Sequence, residues 1–196
     1  LRADRHLRLK PRRHRVAVMM RQTCLAVAVG FGLAASACSL EQALPVPDCI
    51  EGGSGLIVAQ SVPTAELVPC LGPLPDGWTV AGVTVDQDGS EVRLDSDRAG
   101  DDAARLHYRQ TCDVGEAVSV PSDQEGAEAY EYVGRLTSGF RADRLYRFEG
   151  GCVRWEFDFD ADASATLSIE LQDRLTLLSR TTLNENIRET FIDEEL

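Results

Sequence analysis

The stretch Val153-Arg154-Trp155-Glu156-Phe157-Asp158-Phe159-Asp160 decides the fold. Large apolar side chains at 153, 155, 157 and 159 alternate strictly with charged ones at 154, 156, 158 and 160. A period of two places the first set on one face of a β-strand and the second set on the other. Each of the four large residues contributes roughly 1.5–3 kcal/mol when fully buried, so this strand is expected centrally against the core with its charged face in solvent.

Working outward, Gly150-Gly151 reads as a turn and Arg144 to Glu149 as the preceding strand. Ala104, Leu106 and Tyr108 alternate with Arg105, His107 and Arg109, which describes another strand with one wet face. Tyr130 and Tyr132 mark a further one. Trp78 to Asp86 and Ser90 to Asp95 form a hairpin, with Asp88-Gly89 supplying the positive φ angles of a type I′ turn and Val83 and Val85 facing Val92 and Leu94. Leu56-Ile57-Val58-Ala59 begins a first strand, and Ser61 to Gly77, broken by Pro63, Pro69, Pro73 and Pro75, is read as an irregular loop pinned by Cys70. Ser164 reads as an N-cap of a helix carrying Leu167, Leu171, Leu175 and Leu178, followed by a second helix from about Leu183 to Phe191. The expected fold is α+β: an antiparallel sheet of about five or six strands packed against C-terminal helices.

The N-terminal part has a different character. Met20-Arg21-Gln22-Thr23, the apolar run Cys24 to Ala35, and the small residues before Cys38 have the layout of an export signal. The run is about a dozen residues long, and a spanning helix needs roughly 20. Residues 1–19, crowded with arginine, read as untranslated or as an extended n-region, because Met19 and Met20 stand where such a signal starts. Residues 20–37 are then the signal peptide, 38–48, with Pro45 and Pro47, a tether, and 49–196 a single extracytoplasmic domain.

A cysteine directly after Ala35-Ser36-Ala37 resembles the lipobox of bacterial lipoproteins, in which Cys38 is acylated. The chain departs from that pattern at Ala35, where leucine is usual, and Ala35-Ser36-Ala37 also satisfies the A-x-A rule of ordinary secretion. Cysteine arithmetic favours the lipoprotein: with Cys24 lost and Cys38 acylated, Cys49, Cys70, Cys112 and Cys152 form an even set. Four cysteines allow three connectivities. Cys112 ends one predicted strand and Cys152 begins another, so Cys112 is expected with Cys152 and, by elimination, Cys49 with Cys70.

After residue 37 the chain keeps 12 arginines and no lysine against 31 acidic residues, a net charge near −19. Such a surface repels phosphate backbones and anionic headgroups, which disfavours nucleic acid and leaves the N-terminal lipid anchor as the means of membrane attachment.

Candidate chemistry is sparse. Asp158, Asp160 and Asp162 alternate like a calcium loop, but the positions an EF-hand reserves for Gly and Glu hold Ala163 and Ile169. Asp86 and Asp88 are explained by turn chemistry. His107 is the sole histidine after residue 37, lies on a polar strand face, and has no G-x-S-x-G elbow to serve. One histidine and no C-x-x-C pair leave too few ligands for zinc. Arg141, Arg144, Arg147 and Arg154 form either an anion-binding patch or cross-strand pairs with Glu131, Glu149 and Glu156. No catalytic residue, metal ligand or cofactor is assigned.

Asp95-Ser96-Asp97-Arg98-Ala99-Gly100, Val68-Pro69-Cys70 and Gly150-Gly151-Cys152-Val153 resemble segments of uncharacterised actinobacterial secreted lipoproteins. The resemblance implies a fold and an address and brings no activity. The expectation is therefore a lipid-anchored binding or accessory domain on the extracytoplasmic face of the cell membrane, with an envelope protein as possible partner. Its rivals are a secreted form, a cell-envelope hydrolase using His107, and a weak calcium-binding module.

Overall fold

The strand over residues 153–160 is the middle of the sheet. A computed structural model describes Cys49 and residues 54–193. In chain order the elements are α1 (Ser54–Ser61), β1 (Leu67–Leu71), β2 (Trp78–Asp86), β3 (Gly89–Ser96), β4 (Gly100–Arg109), β5 (Val118–Val120), β6 (Glu128–Arg135), β7 (Phe140–Phe148), β8 (Gly151–Phe159), α2 (Thr166–Gln172), β9 (Leu175–Ser179) and α3 (Arg180–Asp193). Seven strands form one antiparallel sheet in the order β2-β3-β4-β8-β7-β6-β5, and β1 pairs with β9 in a separate ribbon. β8 is fourth of the seven.

Alternation sets what β8 buries. Val153, Trp155, Phe157 and Phe159 are at most 2% exposed, and Trp155 stacks on Phe157 with ring centroids 5.7 Å apart. Leu106 and Tyr108 of β4, and Ala142 and Tyr146 of β7, join them on the same face. Val58 and Val62 at the α1 end, Leu67 and Leu71 of β1, Leu167 and Leu171 of α2, and Leu175 and Leu177 of β9 complete this core. The ribbon thus forms a second layer. Its alternate residues Val68, Cys70 and Leu178 point away from the sheet and pack with Cys49, Ala59, and Leu183 and Ile187 of α3.

The α+β architecture with a mainly antiparallel sheet is as read from the sequence, with corrections. The large sheet has seven strands, not five or six, and the helices are not all C-terminal, because Leu56-Ile57-Val58-Ala59 lies in α1 rather than in a strand. Burial of Val58, Ala59 and Val62 on one side of a short helix gives that apolar run its helical use. The proline-broken stretch 61–77 contains β1, because Pro69 is tolerated in a strand paired on one side only. The leucine spacing from 167 to 178 is shared by two elements: α2 ends at Gln172, and Leu175 and Leu178 belong to β9. Ser164 Oγ accepts the Thr166 N–H at 3.3 Å, while Ala165 occupies the N-cap position without a side-chain bond.

The β2–β3 hairpin pairs Asp86 with Gly89, so Gln87 and Asp88 form the turn. Only Gly89 has positive φ, 139°, and the Asp88 N–H is held by Asp86 Oδ1 at 2.8 Å, so this is not a type I′ turn centred on Asp88-Gly89. Val83 opposes Val92, but Val85, nearer the turn, opposes Ser90, and a bulge at Ala81 places Val80 opposite Leu94. The leader, the export signal, Cys38 and the tether lie outside the described residues.

Two disulfides, Cys49–Cys70 and Cys112–Cys152, have Cα separations of 5.4 and 6.0 Å. The first fastens Cys49 to the ribbon, and the second fastens the segment after β4 to the start of β8. Among the described residues no helix is long and apolar enough to cross a membrane.

Candidate functional site

One face of the seven-stranded sheet carries the core and the other carries charge. The antiparallel register sets directly opposite residues on the same side, so Glu91, His107 and Arg154 form one row across β3, β4 and β8, and Arg93, Arg105, Glu156 and Asp143 form the next across β3, β4, β8 and β7. The residue after each charged one points into the core, which is why sequence alternation alone builds the face.

His107 is 17% exposed at its side chain and sits between two carboxylates: Nδ1 lies 3.4 Å from Glu91 Oε2, and Nε2 lies 3.3 Å from Glu156 Oε2. Nε2 is fully buried, and no acceptor is aligned with it as a hydrogen bond requires. Arg154 reaches Asp143 at 3.7 Å and Glu156 at 3.8 Å. Interaction with the neighbouring His107 holds the Glu156 carboxyl below its usual range despite burial, whereas burial pushes Asp143 up and Arg154 only partly offsets it. Two facing carboxylates are thereby pushed in opposite directions.

Toward one end of this face the charges line a groove of about 670 Å³. Its walls include Asp102, Arg105, Arg135, Arg141, Glu156 and Asp158. Asp158 is gripped by Arg135 at 2.8 Å and by Arg141, and Asp102 by Arg93 at 3.2 Å and Arg105 at 3.5 Å. Asp102 and Ser138 are the only non-glycine residues with positive φ among the described residues, at 48° and 59°, and both line the groove. Asp102 is held in that conformation by its N–H bond to Asp95 Oδ1 at 2.7 Å. At the other end, the segment tied by Cys112–Cys152 lies over the face, with Arg154 Nη2 donating to the Asp113 carbonyl at 3.4 Å.

The sequence candidates separate on this frame. Asp158 is engaged by two arginines and Asp162 is exposed, and among the described residues no group of three or more His, Cys, Asp or Glu side chains is arranged to hold a metal ion. The four arginines singled out above do not converge. Arg141, Arg147 and Arg154 share the polar face, while Arg144 points to the core side, 12% exposed at its side chain, and binds Asp123 at 2.8 Å and Glu131 at 3.6 Å. Each has acidic partners: Asp158 for Arg141, Asp123 and Glu131 for Arg144, Glu128 for Arg147, and Asp143 and Glu156 for Arg154, so that Glu131 and Glu156 are among the partners read from the sequence and Glu149 is not.

Glu91, Asp102, Arg135 and Asp143 escaped sequence reading as site residues. Glu91 shares its strand's polar parity with Arg93, the one local signal that it faces outward. Comparison of the chain with protein families, with curated proteins and with solved structures finds no match.

Proposed function

We propose that this chain is a lipid-anchored, extracytoplasmic binding or accessory domain that engages its ligand or envelope partner through the polar face of the seven-stranded sheet. The observation that carries the reading is the groove on that face, built from β4, β8, β7 and the end of β6 on the side the core leaves uncovered and edged by two residues held at positive φ. The two disulfides support an oxidising compartment, and the apolar run ending at Cys38 supports export and an anchor there. Among the described residues the partners at the two His107 nitrogens are the carboxylates of Glu91 and Glu156 rather than a hydroxyl or thiol, which favours binding over hydrolysis.

The test is photocrosslinking of the full chain in its native membrane. A photoreactive side chain at Ala161, exposed at the groove, is expected to capture a partner that one at Ile57, exposed on α1, does not. Equal capture from both positions, or none from Ala161, refutes the face as the binding surface. Intact mass of the membrane form, expected to start at an acylated Cys38, tests the anchor separately.

A further inference from the structure

We propose that His107 is a proton-operated latch: as the imidazolium it ties Glu91 of β3 and Glu156 of β8 to β4, and loss of its proton releases one of the two carboxylates. A neutral imidazole has one N–H and one lone pair, so with a carboxylate at each nitrogen it can favour only one and must set its lone pair against the other. The imidazolium presents a positive N–H edge to both. At 3.4 and 3.3 Å, and with the ring 17% exposed, both carboxylates lie against it, Glu91 the more buried and Glu156 the more open to solvent.

Every charged neighbour bears on the balance. Arg105 and Arg109 flank His107 on β4, Arg93 lies beside Glu91 on β3, and Arg154 opposes His107 on β8. Glu91, Glu156 and the more distant Asp143 are the anions near the ring, set against these cations. The cations supply the released state. Arg154 is 3.8 Å from Glu156 and Arg93 is 4.0 Å from Glu91, so a carboxylate that loses His107 has a standing alternative. Because Glu156 also walls the groove, the latch sets the charge that the groove presents.

Thermal melting of the full chain and its His107→Gln variant, at about pH 5 and about pH 8, brackets the range in which imidazoles ordinarily titrate. The variant is expected to melt roughly 3–6 °C below the wild type at the lower pH and within about 1 °C at the higher. Nitrogen-edited NMR of the wild type is the second measurement: the ring signals missing from the variant should show two N–H groups at about pH 5 and one at about pH 8. Equal melting losses at both pH values, or a single ring N–H at about pH 5, overturns the latch.

Discussion

Arg180 is the residue whose loss tests the packing of the helical layer on the sheet most directly. Its guanidinium donates to the carbonyls of Ala59 at 2.8 Å, Val62 and Ala65, and lies 3.4 Å from the Tyr108 hydroxyl. These carbonyls stand at the end of α1, where helical partners run out, and the residue four beyond Ala59 is Pro63, which has no N–H. Val62 O keeps other donors, the Ala65 N–H at 3.1 Å and the Tyr108 hydroxyl at 3.5 Å. Arg180→Met therefore strands chiefly Ala59 O and Ala65 O. At about 1–3 kcal/mol for each unsatisfied buried group, and with water able to reach part of the half-buried site, the loss is roughly 3 kcal/mol. That corresponds to a melting temperature lower by about 6–12 °C, or a urea midpoint lower by about 1.5 M for a slope near 2 kcal/mol/M. Arg180→Lys keeps the charge but not the planar fork, and is expected to lose about half as much. A methionine variant within about 2 °C of wild type, or a lysine variant equal to it, would falsify the capping role.

Removing Cys112–Cys152 by a double alanine substitution frees a loop of 40 residues and should cost about 4 kcal/mol by the chain-entropy model, seen as a melting point roughly 8–16 °C lower. Burial pushes the hydroxyls of Tyr108 and Tyr146 up to about 12, Arg180 and Arg144 opposing it. Both phenols stay protonated in the fold after an unfolded tyrosine ionises near 10, so their stabilisation is intact below about pH 10 and lost as pH rises toward about 12. Ultraviolet titration should find these two of the four tyrosines ionising last, together with unfolding. Burial pushes Asp123 up, but hydrogen bonds from Arg144, Gln124 and Tyr146 outweigh it and hold the carboxyl below its usual range. Its contribution is present above the ordinary carboxylate range and fades as pH falls through the lowered value, so the stability gap between wild type and Asp123→Asn should shrink in acid. A gap that is constant with pH contradicts that assignment.

What the sequence determined by itself was whatever a short period encodes. The alternation at 153–160 is enough to make β8 a strand and to divide its residues between core and solvent, and that at 104–109 places His107 with Arg105 and Arg109 on a polar face, because side-chain direction along a strand depends only on parity. The hairpin of β2 and β3 was legible for the same local reason, although the bulge at Ala81 was not, since nothing in the residue types marks the extra position. Pairings between distant residues belong to the tertiary structure. β9 borrows leucines at helical spacing and becomes a strand because β1, 112 residues away at Leu67 and Ser179, offers it an edge. The same holds for the candidate site. That His107 is polar-faced is written in β4, but its two carboxylates come from β3 and β8, and the groove residues Asp102, Arg135 and Asp158 meet only when β4, β8, β7 and β6 lie side by side. Cross-strand distance is set by register between segments that folding brings together, and local sequence carries no measure of it.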